Sequence, residues 1–563
     1  MKNHRSYEWR GDLAGLPHPP KFIAVLWFSI LLLLAVGARS QGTKGRIDIP
    51  HLQTQGATTQ LLVGNRPFLM LGGELGNSTA SSLEYMRPLW PRLAQMHLNT
   101  VLVPVYWELL EPAEGRFEFT LIDSALHAAR RHDLKLVFLW FGSWKNSMSC
   151  YAPWWVKTDP RRFPRARSKN GEALEILTPF SDENRNADAR AFTALMHHLR
   201  LVDGEENTVL MMQVENEIGM IPDARDYSES ANRAFAAPVP SELLAHLQKH
   251  RASLMPELRD LWQATGFKSS GSWEQVFGTS LQTDEVFMAW HFARYAGYVT
   301  QAGKAEYPLP MYVNAALIRP NYLPGQYPSA GPLPHLMEVW RAAAPQIDFA
   351  APDIYFQNFA EWCEKYVRSG NPLFIPEVGN NQSVANAFYA FARHDAMGFS
   401  PFSIESIELP AADRIANGYD VLQQISPLIL ANQGKGTMVG VLLDSMNQKV
   451  KLRLGDYTFT ARHEYSWKYA ARTETEPPRV GGLIIALAPD EFLVAGSGII
   501  VTFGARAPDG AKAGIARIDE GRWMNGNWIP GRRLNGDQSH QGRHLHLPGS
   551  SFGIQRVRLY KYQ

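Results

Sequence analysis

Eight short apolar segments rich in β-forming residues alternate with longer amphipathic segments along the first 410 residues of this 563-residue chain. The longer segments, such as FTLIDSALHAARRH at 119–132, space their apolar residues as the buried face of a helix does. Strands that alternate with helices predict a parallel sheet, and eight such units are what an α/β fold of the (β/α)8 TIM barrel type requires. The predicted strands lie at 66–74, 98–107, 134–141, 208–216, 309–315, 347–355, 372–377 and 397–405.

After the last of these strands, the sequence changes to strand-like segments separated by glycine-containing turns. VGVLLD at 439–444, KVKLRLGDYTFTARH at 449–463 and SFGIQRVRLYKY at 551–562 are of this kind. Short strands with turn signals between them are typical of a β-sandwich or a small β-barrel. We therefore expect a barrel domain at 55–410, followed by a smaller all-β, sandwich-like C-terminal domain at 430–563.

The amino terminus has the composition of an export signal. Residues 22–38 are apolar, Lys21 precedes them, and small residues follow at their end. Cleavage after Ala38 or after Ser40 would remove this segment, whereas a run of about 17 apolar residues is also just long enough for an uncleaved membrane anchor. We expect 1–40 to be a signal peptide or an N-terminal anchor, and the rest of the chain to be periplasmic or extracellular.

Composition excludes several classes of function. The 56 basic and 54 acidic residues give a formal net charge of +2, so no overall positive field is available to attract nucleic acid. Cys150 and Cys363 are the two cysteines of the chain, which excludes a disulfide scaffold and a metal cluster made of cysteines alone. The two could pair after export or remain as buried thiols. We expect no nucleic-acid partner, no metal and no organic cofactor.

Two predicted strands end in carboxylates, and the chemistry of TIM barrels lies at the carboxyl ends of the strands. The fourth ends in MMQVENEIG, with Glu215 and Glu217, and the seventh ends in LFIPE, with Glu377. Any one of these carboxylates could instead cap the helix that follows it. As a pair they fit glycoside hydrolysis, in which one carboxyl group protonates the leaving oxygen and the other stabilises or attacks the anomeric carbon. A separation of roughly 5–5.5 Å would mean retention of configuration, and a wider gap would mean inversion.

The segment QVENEIG at 213–219 resembles the QVENEYG signature of glycoside hydrolase family 35, the β-galactosidases of the retaining (β/α)8 clan. The resemblance implies that Glu217 is the acid/base, that Glu377 is the nucleophile and that Asn216 bonds the sugar 2-hydroxyl. The start of the barrel is also similar to the family, with Trp107 opening a W-x-x-x-E-P turn. The resemblance covers the predicted barrel.

The chain departs from the family pattern at several positions. Ile218 replaces the usual aromatic residue, and FGSWKNSMSCYAPWW at 141–155 stands where the family has a Cys-Ala-Glu-Trp segment. Within it, Trp144 could stack on a sugar and Asn146 could bind a hydroxyl, or both could simply pack in a loop. These departures affect the galactose contacts more than the catalytic pair. With its β-rich tail, the chain resembles an outlying bacterial branch of the family, of a type found beside systems that degrade xyloglucan and other plant glycans.

Further residues are candidates for substrate binding. Glu74, at the tip of the first strand, could bind sugar hydroxyls or make a structural hydrogen bond. Tyr355 ends the sixth strand, where the resemblance implies a tyrosine that bonds the nucleophile. Trp107 is a further candidate for substrate binding because it opens the W-x-x-x-E-P turn. Glu215 would raise the pKa of Glu217 if it faced the same site.

The leading interpretation is a retaining exo-β-galactosidase that removes terminal β-linked galactose from oligosaccharides, with plant cell-wall glycans such as xyloglucan as their expected source. A second interpretation keeps the mechanism but changes the sugar to an arabinoside, fucoside or glucoside. A third is a non-catalytic glycan-binding protein. The expected partner is the oligosaccharide, membrane contact is expected only if the amino-terminal segment stays uncleaved, and the sequence leaves the oligomeric state open.

Overall fold

A computed structural model describes residues 48–379, 384–464, 478–506 and 510–563. The predicted export segment at 1–40 lies outside these described residues. Within them, no helix is both long enough and apolar enough to cross a membrane. The described residues belong to one compact unit.

A small antiparallel sheet precedes the barrel. It consists of β1 (His51–Gln55), β2 (Thr58–Val63) and β3 (Arg66–Phe68). The predicted first strand at 66–74 is therefore two strands, because its first three residues pair with β2 and the barrel begins only at Met70.

Eight parallel strands close into a barrel within the described part of the chain, which confirms the predicted fold class. Neighbouring strands in the barrel follow the order of the chain, and each predicted segment contributes one strand to the barrel. The strands are buried on both faces, as in parallel sheets covered by helices. The barrel strands are β4 (Met70–Glu74), β5 (Thr100–Tyr106), β6 (Lys135–Lys145), β9 (Val209–Asn216), β10 (Met311–Ala316), β11 (Phe349–Ile354), β12 (Ile375–Val378) and β13 (Gly398–Pro401), and a hairpin of β7 (Arg165–Arg167) and β8 (Ala173–Leu177) follows β6.

Helices connect the barrel strands, and several begin at serine caps. The side chain of Ser181 accepts a hydrogen bond from the N–H of Asn184, and that of Ser280 accepts one from the N–H of Thr283. The longest connection, between the fourth and fifth barrel strands, is mostly helical. The helices are α1 (Leu83–Met86), α2 (Leu89–Gln95), α3 (Trp107–Leu110), α4 (Thr120–Arg131), α5 (Trp154–Lys157), α6 (Asp182–Asp203), α7 (Glu229–Ala236), α8 (Ser241–Lys249), α9 (Pro256–Gln263), α10 (Trp273–Phe277), α11 (Leu281–Glu306), α12 (Met337–Ala343), α13 (Phe359–Tyr366), α14 (Ala385–Arg393) and α15 (Ala411–Asn432).

Two antiparallel sheets follow α15, which confirms the predicted all-β region. Their inner faces share one apolar core, with Phe459 from one sheet and Val494 and Val557 from the other. One sheet has the order β14 (Met438–Leu443), β17 (Val480–Ala488), β18 (Glu491–Ser497), β23 (Gly553–Tyr562), β20 (Lys512–Met524), β21 (Asn527–Arg533), and the second has the order β15 (Lys449–Leu454), β16 (Tyr457–His463), β19 (Ile499–Ala505), β22 (Leu545–Leu547).

The outer face of the larger sheet packs on the barrel. Along β17, Ile484 points into the sandwich core, whereas Leu483 and Ile485 join the core of the barrel. The ring of Phe552 stacks on Phe388 of α14, with centroids 5.2 Å apart. Since α14 follows the seventh barrel strand, the β-rich region supports the part of the barrel that carries Glu377.

Candidate active site

Four buried carboxyl groups meet at the carboxyl ends of the barrel strands. Glu74 ends β4, Glu217 follows β9, Asp353 lies in β11 and Glu377 lies in β12, and each is at most 5% exposed. The parallel register places Asp353 directly beside Glu377. One oxygen from each of Glu217, Asp353 and Glu377 lies within 4.8 Å of the other two. This distance fits the close carboxyl pair of a retaining glycosidase rather than the gap of roughly 6.5–9.5 Å in an inverting enzyme.

Hydrogen bonds fix the position of Glu217. Its N–H donates to Oδ1 of Asn314 at 2.9 Å, and Nδ2 of Asn146 donates to its Oε2. The N–H of Asn146 also donates to the carbonyl oxygen of Asn216 at 3.2 Å. Glu215 and Glu217 have φ angles of 60° and 43°, in the left-handed region that non-glycine residues adopt at a cost. The backbone is therefore held in a sparsely populated conformation at the end of the fourth strand, where it turns Glu217 into the site.

The surroundings of Glu217 favour its protonated form. Burial and the neighbouring charge of Glu377 raise the pKa of Glu217 to about 7, although the ammonium group of Lys145 and hydrogen bonds from Asp353 and Asn146 oppose the increase. A carboxyl group with this pKa carries a proton for much of the time near neutral pH, as a general acid must.

The hydroxyl of Tyr355 donates a hydrogen bond to Oε1 of Glu377. The other oxygen, Oε2, is buried and has no hydrogen-bond partner among the described residues. Burial and the charge of Glu377 raise the pKa of Tyr355 above its ordinary value, so the phenol remains a donor. One oxygen of Glu377 is thus held in place while the other is available to react.

Asp353 and Glu74 surround the catalytic pair. Burial, followed by the charge of Glu377, raises the pKa of both groups well above the usual range for carboxyls. Oδ2 of Asp353 accepts a hydrogen bond from Nδ2 of Asn314 at 2.6 Å. The raised pKa of both groups favours their neutral forms, which limits the negative charge of the cluster.

Lys145 places a buried cation beside these carboxyl groups. Its side chain is mostly shielded, its Nζ lies 5.2 Å from the ring centroid of Phe141, and it donates a hydrogen bond to Oδ1 of Asn146. The charge of Lys145 lowers the pKa of Glu74 and of Glu217, in each case against the larger effect of burial.

Asn216 offers an unused amide at the site. The residue is fully buried, and neither Oδ1 nor Nδ2 has a hydrogen-bond partner among the described residues. Buried polar atoms are rarely left unpaired, because an unmade hydrogen bond costs about 1–3 kcal/mol. The amide is therefore suited to bind a polar ligand such as a sugar hydroxyl.

Two predicted substrate contacts are corrected by the structure. Trp144 is fully buried, its Nε1 donates to the carbonyl oxygen of Leu177 at 3.1 Å, and its ring packs edge-on against Tyr295. Trp107 is also fully buried, and its Nε1 donates to Oε2 of Glu111 at 2.8 Å. Neither indole has a face open to a sugar, so Trp144 packs the loop after β6 and Trp107 stabilises the W-x-x-x-E-P turn.

The predicted effect of Glu215 on Glu217 is also corrected. The Oε2 atom of Glu215 accepts the N–H of Trp144 at 2.8 Å, and burial together with the charge of Asp188 raises the pKa of Glu215 well above its ordinary value. Asp188 in turn accepts a hydrogen bond from Oγ of Ser143 at 2.6 Å. Glu215 thus faces the structural network under the loop after β6, and the pKa of Glu217 is raised mainly by burial and by Glu377.

Sequence reasoning missed Lys145, Asn314 and Asp353. A signal existed for the last two, since each is a polar residue inside an otherwise apolar strand segment, LPMYVNA or IDFAAPDIY. Lys145 gave no such signal, because a lysine next to a strand end is ordinarily solvated.

The carboxyl oxygens of Glu217, Asp353 and Glu377 lie close enough together to hold a divalent cation, since hard cations bind carboxylate oxygens. Lys145 already supplies positive charge there, and glycoside hydrolysis uses the carboxyl groups directly.

The two cysteines lie outside this site. Cys150 is exposed, Cys363 is buried, and both are free thiols, so the disulfide that the sequence left open is not formed.

Several solved β-galactosidase structures are similar to this chain. Those from the psychrophilic Marinomonas ef1, from Rahnella sp. R3 and from G. stearothermophilus share 13%, 15% and 13% sequence identity with it, with TM-scores of 0.43, 0.43 and 0.44. The alignments cover 64%, 64% and 68% of this chain and 60%, 57% and 59% of the other chains. The chain therefore spans less than two thirds of the length of these structures. Among curated proteins, a search found no match.

Two parts of the chain match known family models. Residues 415–546 match a domain of unknown function, DUF5597, and residues 86–293 match glycoside hydrolase family 42, described as beta-galactosidase. The resemblance to family 35 is not supported, since the matching model is that of family 42, whereas the expected (β/α)8 class agrees with the barrel. The second match includes Glu217. Glu377 lies outside the residues that this family model matches.

Proposed function

We propose that this protein is a retaining exo-β-galactosidase that hydrolyses terminal β-linked galactose from oligosaccharides. The observation that carries the proposal is the buried pair of Glu217 and Glu377, with carboxyl oxygens within 4.8 Å of each other. The description of the family matched by residues 86–293 supports β-galactosides as the substrate class.

In the first step, Oε2 of Glu377 attacks the anomeric carbon while Tyr355 holds Oε1. The bond from this carbon to the leaving oxygen breaks, and Glu217 donates its proton to that oxygen. The products are the released aglycone and a sugar joined covalently to Glu377. Asn216 binds a sugar hydroxyl, with Oδ1 as an acceptor or Nδ2 as a donor of the hydrogen bond.

In the second step, Glu217 acts as a base. Formation of the covalent ester removes the negative charge of Glu377, which is one of the main influences that raise the pKa of Glu217. The pKa of Glu217 therefore falls, and its carboxylate can take a proton from water. The resulting nucleophile attacks the anomeric carbon, the bond to Glu377 breaks, and the sugar leaves with its original configuration.

The natural substrate and location belong to the same proposal. Plant cell-wall glycans such as xyloglucan would supply terminal β-galactose, and residues 1–40 would export the enzyme to the periplasm or the medium. A different sugar is the second candidate, because Tyr355 and Glu377 lie outside the residues that the β-galactosidase model matches.

The test is hydrolysis of a panel of nitrophenyl glycosides, with the β-galactoside first, by the full chain and by Glu217→Gln and Glu377→Gln. We expect release from the β-galactoside, strongly reduced in both variants. Release from another sugar would keep the mechanism and overturn galactose as the substrate. A folded protein that binds galactosides but cleaves neither these nor natural oligosaccharides would be a glycan-binding protein.

A further inference from the structure

Two histidines and a glutamate converge outside the catalytic site. His246 lies on α8, and His250 follows one turn later, so both side chains occupy the same side of the helix, with ring centroids 4.4 Å apart. Glu338 of α12 faces them, and Nε2 of His246 donates to its Oε2 at 2.8 Å. One nitrogen of each histidine and one oxygen of Glu338 all lie within 4.8 Å of one another.

These side chains are the ligand types that zinc prefers. Imidazole nitrogens and a carboxylate oxygen bind Zn²⁺ at about 2.0–2.2 Å, usually with tetrahedral geometry. Ligand atoms at that distance from a tetrahedral ion lie about 3.3–3.6 Å from one another, so atoms that already lie within 4.8 Å of one another need only a limited approach. His246 and His250 are only half-buried, so water can reach the fourth position.

Arg341 orients the carboxylate of Glu338. Its Nη1 donates to Oε1 of Glu338 at 3.0 Å and to the carbonyl oxygen of Ser369 at 2.9 Å. Oε1 of Glu338 is thus fixed by Arg341 and Oε2 is directed at the histidines, as an outer hydrogen bond orients a metal ligand.

We propose that His246, His250 and Glu338 form a structural binding site for a transition-metal ion, with Zn²⁺ as the best match and water as the fourth ligand. The ion replaces the hydrogen bond between Nε2 of His246 and Oε2 of Glu338. It connects α8, in the insertion between the fourth and fifth barrel strands, to α12 of the barrel and stabilises their packing.

A similar pair in the same protein provides the control. His197 contacts Glu306 at 2.9 Å, yet no third ligand atom joins this pair among the groups found in the described residues. His197→Ala removes a histidine–glutamate pair of the same kind without touching the proposed site. His250→Ala is the informative variant, because no side-chain hydrogen bond of His250 is found in the described part of the chain and its loss should leave the fold intact.

The experiment uses the untagged full chain, treated with a chelator and dialysed. Zinc chloride is then titrated by calorimetry, and cobalt(II) binding is followed by visible absorption. We expect one ion per chain and an absorption typical of four-coordinate cobalt. His250→Ala should weaken binding by about tenfold or more, because loss of an outer partner alone already costs about 10- to 100-fold. His197→Ala should bind as the unmodified protein does.

Thermal unfolding supplies a readout independent of catalysis. Zinc should raise the Tm of the unmodified chain and of His197→Ala but not that of His250→Ala, because a ligand that binds only the native state stabilises it. In chelator, all three should unfold at the same Tm. Absence of zinc binding, an octahedral cobalt spectrum, or equal affinity in His250→Ala would overturn the proposal. If His250→Ala were misfolded, the stoichiometry and cobalt spectrum of the unmodified chain would still decide it.

Discussion

The proton on Glu217 links the geometry of the site to its chemistry. Burial raises the pKa of Glu217, and the charge of Glu377 raises it further, to about 7. Asp353 and Asn146 oppose it through hydrogen bonds, and Lys145 opposes it through its charge. The acid/base role of one residue therefore depends on side chains from several barrel strands.

Asn146→Ala should shift the pH dependence of kcat/KM. The acid must be protonated, so kcat/KM of the unmodified enzyme should fall as the pH rises through about 7. Asn146 lowers the pKa of Glu217, so its removal raises that pKa and moves the basic limb to higher pH. Glu215→Gln is the control, because Glu215 faces Asp188 and its substitution should leave the limb unmoved. A limb that stays in place in Asn146→Ala would contradict this account.

Tyr355→Phe should slow the reaction without abolishing it. A hydrogen bond to a charged group is worth about 1.5–3 kcal/mol, which corresponds to a fall in kcat/KM of about 10- to 150-fold. Tyr366→Phe is a matched control, since the hydroxyl of Tyr366 donates to the backbone carbonyl oxygen of Pro332 at 3.1 Å rather than to a catalytic carboxyl group. Steady-state kinetics with a nitrophenyl glycoside measure both variants, and equal rates in the two would argue against a role for Tyr355.

Individual residues of the site could be predicted only in part from the sequence. Glu217, Asn216 and Glu377 lie at or next to strand ends, in recognisable motifs. Asp353 joins them through the register between β11 and β12, which a single sequence does not reveal. The side-chain direction of Trp144 was likewise hidden, because a tryptophan in a loop after a strand can pack inward or line a cleft.

At the scale of elements, the eight barrel strands were predictable because each is buried on both faces and forms a continuous apolar segment. In the β-rich region, the four strands β19 to β22 were missed, and the signal was weakest for β20 and β21. Their burial is partial, and charged residues such as Arg517, Asp519 and Glu520 interrupt the apolar pattern of β20. Cross-strand pairing, rather than apolar periodicity, defines these two strands.

The turn that contains α3 gives a prediction about stability. Trp107→Phe removes the hydrogen bond to Glu111 and leaves a buried carboxylate oxygen unpaired, which should lower the free energy of unfolding by about 1–3 kcal/mol. Because Trp107 has no exposed surface, KM should stay nearly unchanged if the variant is folded. Urea unfolding and steady-state kinetics measure the two quantities. A large increase in KM with unchanged stability would restore Trp107 as a substrate contact.

At the scale of the whole molecule, the barrel and the sandwich share an apolar interface. Leu483, Ile485, Leu493 and Ala495 of the larger sheet belong to the core cluster that contains the barrel strands. Their neighbours in the same strands face the second sheet. The sandwich thus completes the burial of α14 and supports the strand that bears Glu377.

Phe552→Ala should destabilise both parts of the molecule together. Its ring is 8% exposed and stacks on Phe388, and truncation of a buried phenylalanine costs about 3–5 kcal/mol. Since the interface is continuous with the barrel core, we expect one calorimetric transition, shifted to lower temperature and coincident with the loss of activity. Two separate transitions in the unmodified chain would show that the sandwich folds independently of the barrel.

The most direct test of the catalytic account is capture of the covalent intermediate on Glu377. A 2-deoxy-2-fluoro-β-galactoside with an activated leaving group slows both steps, and more so the second, so the glycosyl-enzyme accumulates. Peptide mass spectrometry should find one added sugar on the peptide that contains Glu377. Glu217→Gln should still become labelled, because an activated leaving group needs little acid assistance, whereas Glu377→Gln should not. A label on another residue, or a first-formed product of inverted configuration, would contradict the assignment of Glu377 as the nucleophile.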